Sequence, residues 1–227
     1  AMHKVAERWF GQSAGLAMVE AWKAMSAAFQ EFPFHGSLIY TAPVHTGPSN
    51  LLWESPTNYK ATMVGFPYDD LDTWRAIYPV EAFTGQLEKI ADGFDKAIDA
   101  LREKTKGITV PAPRYVAFER EAGIATAVSL HYRSAANQAR FVVARNALEK
   151  AENAGAAQPI IEELDRLLKN EIELAKRLYA LQAVDSRLGF EASNQYFYIP
   201  MDLAEKVINC RDLLDRWLPA ERARRGL

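Results

Sequence analysis

Between residues 32 and 78 the chain cannot form a long regular element. Pro33, Pro43, Pro48, Pro56 and Pro67 recur through the stretch, and each fixes φ and removes a backbone donor, which excludes a helix interior and a central strand. The same stretch carries Phe32, Phe34, Tyr40, Trp53, Tyr59, Phe66, Tyr68, Trp74 and Tyr78. Disorder over such a length requires low hydrophobicity and few aromatics. The composition therefore predicts an ordered aromatic loop laid across a scaffold, of the kind that carries binding surfaces.

The flanks predict what the scaffold is. Residues 3–10 read as a short helix stopped by Gly11, with Val5, Trp9 and Phe10 as its apolar face. Ser13 is placed to cap a second helix, in which Leu16, Val19, Trp22, Met25 and Phe29 recur at helical spacing until Pro33 ends it. Beyond the loop, Phe83, Leu87, Ile90, Phe94, Ile98 and Leu101 follow one another at spacings of 4, 3, 4, 4 and 3. That is the clearest helix in the chain. Residues 114–153 contain no proline, so a continuous helix there would be about 60 Å long. Gly123 is a candidate bend, and Ala122, Ala125, Ala127, Ala135, Ala136 and Ala139 would let neighbouring backbones approach. Gly155 breaks the pattern and Pro159 restarts it, with Ile160, Leu164, Ile172 and Ala175 on the next face. After an irregular patch closed by Pro200, a last helix carries Leu203, Val207, Cys210, Leu214 and Trp217 as far as Pro219, and the polar end 221–227 is expected to fray. The sum is an all-α fold: a bundle of about five or six helices, one domain over residues 1–227, with the aromatic patches meeting at one end.

Charge and cysteine content narrow the chemistry. A net charge of −2 with no basic stripe argues against a nucleic-acid partner, and no run reaches the roughly 18 apolar residues of a membrane span. Cys210 is the single cysteine, so an internal disulfide and a cysteine-based zinc site are both excluded; it is expected to pack as a small apolar residue. No phosphate loop, H-E-x-x-H or G-x-S-x-G pattern occurs, and no cofactor is expected. Glycoside hydrolysis needs two carboxyls about 5 to 10 Å apart, and the neighbours Asp69 and Asp70 are not an obvious pair.

Several residues are nevertheless candidates for binding. Tyr68, Asp69, Asp70 and Trp74 place carboxylates beside rings, the combination that grips sugars, although Asp in such a position also serves turns and helix caps. His45, Asn50 and Trp53 form a second loop group that competes with a self-satisfied polar turn, and Tyr40 precedes them. Asn194 and Tyr196 could supply an amide and a phenol to the same end of the bundle, or simply accompany core packing. On the long helix, Arg133, Asn137 and Arg140 share a face. They read either as an anion cradle or, more commonly, as partners of acids such as Glu162, Glu163, Glu171 and Glu173 on a neighbouring helix.

Taken together, the pieces ERWFG, EAWKAMSAAFQEFP, IYTAPVHTGPSNLLW, KATMVGFPYDDLDTW and FEASNQYFYIPMDLAEKVINC resemble the helical region that follows a (β/α)-barrel in large glycoside-hydrolase-like proteins. In such proteins the catalytic carboxylates sit on the barrel, and this chain has no alternating βαβα pattern, so no catalytic residue carries over. The resemblance implies a non-catalytic C-terminal module of a longer, carbohydrate-active protein, with an adjoining barrel as partner and its loops facing sugar or supporting the neighbouring domain. The alternative from composition is a structural module whose aromatic loop docks on a protein partner or on a second copy of the chain, giving a homo-oligomer. An independent helical enzyme is a third reading, for which no acid–base pair can be named.

Overall fold

A computed structural model describes residues 1–40, 43–60, 68–191, 195–196 and 198–227. Eight helices account for nearly all of the regular structure among them. α1 (Met2–Phe10) and α2 (Gln12–Phe29) form a hairpin; α5 (Val80–Thr105), α6 (Ala112–Lys150), α7 (Ala154–Val184) and α8 (Pro200–Asp212) follow the aromatic region. α3 (Gly36–Tyr40), α4 (Leu71–Trp74) and two 3-10 turns, Pro43–His45 and Gly47–Ser49, lie inside it. The expected five or six helices are thus the long ones, and the count rises because the proline-broken segment coils into single turns wherever its prolines permit. A two-residue antiparallel ladder pairs Phe190 with Tyr196 and Glu191 with Gln195.

Each long helix packs on its successor: α2 on α5, α5 on α6, α6 on α7 and α7 on α8. α5 buries the predicted stripe, Phe83, Leu87, Ile90, Phe94 and Leu101, with Ile98 partly covered. α6 runs unbroken for 39 residues through Gly123. All six alanines of its middle are buried, which is how neighbours approach it so closely.

Four local expectations are corrected. α1 buries Ala6 and Phe10, while Val5 and Trp9 point outward, because a helix with so small a residue as Ala6 on its inner face lies flat against the bundle. Ser13 does not cap α2: Gly11 alone separates the two helices, at φ +84°, a conformation that suits glycine. α7 starts at Ala154 rather than at Pro159, since the Asn153 side chain accepts the Ala156 N–H at 3.0 Å and nucleates the helix upstream. The C-terminal end is helical as well. α8 continues through a π turn (Leu213–Trp217) into Leu218–Arg225. The widened turn ends two residues before Pro219, which has no N–H to offer the preceding turn. Arg225 then donates to the carbonyls of Leu148 at 2.6 Å and Ala151 at 2.9 Å, satisfying the open end of α6.

Candidate functional site

The 3-10 turn Gly47–Ser49 lies where α6, α7 and α8 meet, and a buried polar network surrounds it. Lys206 on α8 and Glu171 on α7 form an ion pair at 3.0 Å, with both side chains wholly removed from solvent. Such a pair costs several kcal/mol of desolvation per ion unless further hydrogen bonds complete it. Here they do. Ser134 Oγ donates to Glu171 Oε2 at 2.7 Å, Asn137 Nδ2 donates to Glu171 Oε1 at 2.8 Å, and Lys206 Nζ donates to the Asn50 carbonyl.

From α6 the network continues into the loop. Gln138 Nε2 donates to the Gly47 carbonyl and to Ser134 Oγ; Asn50 Nδ2 donates to Gln138 Oε1 at 2.9 Å; Thr46 Oγ1 donates to Asn50 Oδ1. Asn209, one turn beyond Lys206, grips the Leu52 backbone at both ends, accepting its N–H at 2.8 Å and donating to its carbonyl at 2.9 Å. His131 bonds the Val44 carbonyl through Nε2. Burial holds its imidazole down to about 4, with a smaller opposing effect from the Val44 carbonyl and a further lowering from His45. It is therefore neutral at pH 7, and Nε2–H is the donor. Gly47 sits at φ +46°, and a Cβ there would lie 2.5 Å from His131 Nδ1, so the turn can be seated against the ring only with glycine at that point.

A second anchor fixes the other half of the loop. Arg145 on α6 and Asp69 pair at 2.7 Å with both side chains less than 5 % exposed. The remaining Asp69 oxygen accepts the Thr57 N–H at 2.8 Å and its hydroxyl at 2.6 Å. Tyr68 Oη accepts the Trp53 N–H at 2.6 Å, and Trp74 Nε1 donates to the Tyr68 carbonyl at 2.9 Å while its ring meets Phe83 edge-on. Burial, and next the Asp69 charge, push the Tyr68 phenol well above its ordinary range, so it stays protonated.

The candidate residues from the sequence thus fall into separate groups. Tyr68, Asp69 and Trp74 come together with Arg145 in the interior, and Asn50 belongs to the Lys206 network. Asp70 precedes α4 and takes the Thr73 hydroxyl at 2.8 Å, as a turn-forming aspartate does. His45 meets the Ile39 carbonyl at 2.7 Å, half-buried. Tyr40 and Trp53 present their rings to solvent, as do Phe34 and Tyr59. Tyr196 lies in the short ladder by its backbone. Asn194, and Gly65, Phe66 and Pro67 of the acidic–aromatic stretch, lie outside the described residues. The helix-face arginines pair, but with α5 rather than α7: Arg133 with Asp92 and Asp95, Arg140 with Glu88. Only Asn137 reaches Glu171.

The α6 pattern points to Glu171 as a partner of Asn137, but nothing in the candidate motifs points to Ser134, Gln138, Lys206 or Asn209. A signal existed for the ions. Lys206 lies three residues after Leu203 and four before Cys210, in phase with the buried face of α8, and Glu171 is four after Leu167 and four before Ala175. A charge in an apolar phase points to a buried partner. Chemically the network is a fastening: its ions are neutralised and covered. Cys210, beside Lys206 and Glu171, has its thiol pushed up to about 12 by burial and stays unionised. Among the described residues no cluster of His, Cys, Asp or Glu is arranged to hold a metal ion. A shallow groove of about 380 Å³ runs between α6 and the loop, where Asp70, Asp72, Asn146 and Lys150 meet Val80 and Val143. Compared with known proteins, the chain matches no family model, no curated protein and no solved structure.

Proposed function

We propose that this chain is a non-catalytic helical module of a carbohydrate-active, glycoside-hydrolase-like protein, and that its aromatic segment is a platform supporting a neighbouring domain. The observation that carries the reading is the double anchoring of that segment. Among the described residues, its buried Asn50 and Asp69 side chains and the backbone of Asn50 and Leu52 are engaged with α6 and α8 through Lys206, Gln138, Asn209 and Arg145, while Phe34, Tyr40, Trp53 and Tyr59 remain outside. A platform must be rigid before it docks, because ordering it at the moment of binding would subtract from affinity. The acids and rings best suited to stacking on a sugar, Asp69, Tyr68 and Trp74, are occupied in holding the platform.

Direct sugar contact is the second reading, favoured by the groove in which the Asp70 and Asp72 carboxylates and the Asn146 amide stand beside the apolar walls of Val80 and Val143. Oligosaccharides and uronic acids titrated to millimolar concentration, with the fluorescence of exposed Trp53 followed in a Trp9→Phe background, separate the two. The platform reading expects a flat titration. A saturable response abolished by Asp70→Ala would overturn it and assign the groove to sugar.

A further inference from the structure

A pocket of about 410 Å³ lies between α1, α2 and the first half of α6, with Arg187, just beyond α7, in its wall. That is the size of hollow that takes a small molecule. Its walls are aromatic, formed by Trp9, Phe10 and Trp22. Two of the three rings are fixed in advance. Phe10 is buried and meets Trp22 edge-on at 5.9 Å and Phe118 at 6.3 Å, and the Trp22 indole N–H donates to Glu121 Oε1 at 2.7 Å. A site whose rings need no ordering keeps that entropy for affinity. Trp9 differs, leaving 57 % of its surface in water, so its ring is the one an occupant would cover.

The charges in the wall say what the occupant carries. Arg120 and Arg187 stand against a single carboxylate, Glu121. Arg187 is held by Asp185 at 2.8 Å, and Glu121 by the Trp22 indole. Arg120 is exposed and makes no hydrogen bond or ion pair among the described residues, so its planar fork of donors is open to a carboxylate, which it fits with two parallel bonds. We propose that this pocket binds a small aromatic carboxylate, its ring packed on Trp9 and Trp22 and its carboxylate on Arg120. A sugar acid is less well served, because Glu121 is the one side-chain acceptor among the described lining residues and one of its oxygens is already taken. Nucleic acid and anionic lipid surfaces ask for a cluster of cations, and this wall offers one that is open. The inference is independent of the platform reading, because it uses a different surface and a different partner.

Isothermal titration calorimetry of the full chain with indole-3-acetate, to about 5 mM, tests the proposal. Saturable binding is expected. Arg120→Gln should weaken it at least tenfold, and so should replacing the probe by indole-3-acetamide, which keeps the ring and loses the charge. Trp9→Ala should weaken it likewise, and Ile208→Ala, on the exposed face of α8, should leave it unchanged. Arg120 and Trp9 are both exposed, so helical circular dichroism should stay the same in each variant. Absence of binding overturns the proposal, as does binding that Arg120→Gln or Trp9→Ala leaves intact, that Ile208→Ala disrupts or that indole-3-acetamide matches. Equal binding by glucuronate would overturn the aromatic assignment and give the pocket to acidic sugars.

Discussion

Replacing Lys206 by methionine tests whether the polar network holds the loop on the bundle. The substitution keeps most of the side-chain volume and removes only the ammonium. Glu171 would then be left fully enclosed, with Ser134 and Asn137 as its remaining donors and no cation at the 3.0 Å position. The bond from Lys206 to the Asn50 carbonyl would be lost as well. Removing one partner of a buried ion pair costs about 3–5 kcal/mol, and the lost hydrogen bond from the ammonium adds about 1.5–3 kcal/mol. Partial entry of water would reduce both, so a loss of about 4 kcal/mol is expected. That is a large fraction of the ~5–15 kcal/mol by which a folded chain is stable. Urea unfolding should therefore show a much lower midpoint at an unchanged slope. Lys206→Met combined with Glu171→Leu should cost clearly less than the two single losses added together, because neither ion is then stranded. Additive losses, or a Lys206→Met midpoint within error of the parent chain, would refute the account of a tightly coupled buried pair.

Two further outcomes follow from the same region. His131 has a folded value near 4 against an ordinary 6.5, so the unfolded chain binds the extra proton over that interval. The stability it confers is complete above pH 6.5 and is lost as pH falls toward 4, by about 3 kcal/mol at 1.36 kcal/mol per unit; a pH series of urea midpoints should show this slope, reduced in His131→Gln. Asn209→Ala removes both contacts to the Leu52 backbone and should cost about 1–3 kcal/mol. Hydrogen exchange should accelerate at Leu52, whereas uniform acceleration across α5 would show that Asn209 does not act locally.

Where signals were local, the sequence could be read directly. The α5 stripe, the arrest of α1 at Gly11 and the turn role of Asp70 each depend on residues within a few positions of one another. Pro159 is a strong local signal for a helix start, yet the Asn153 cap begins α7 upstream of it. Hydrophobicity alone turns Trp9 inward, but a helix has one inner face, and the packing of Ala6 and Phe10 decides which it is.

Composition and periodicity by themselves determined that this chain is helical and that no long helix could run through residues 32–78, since propensity, proline placement and 3.6-residue spacing act along the backbone. Tertiary structure alone decided what those residues rest on. Lys206 reaches Asn50 across 156 positions, Asn209 reaches Leu52 across 157, and Arg145 reaches Asp69 across 76. A lysine, a glutamate or an asparagine looks the same in a sequence whether it faces water or a partner; only the fold brings the partner within 3 Å and removes the water.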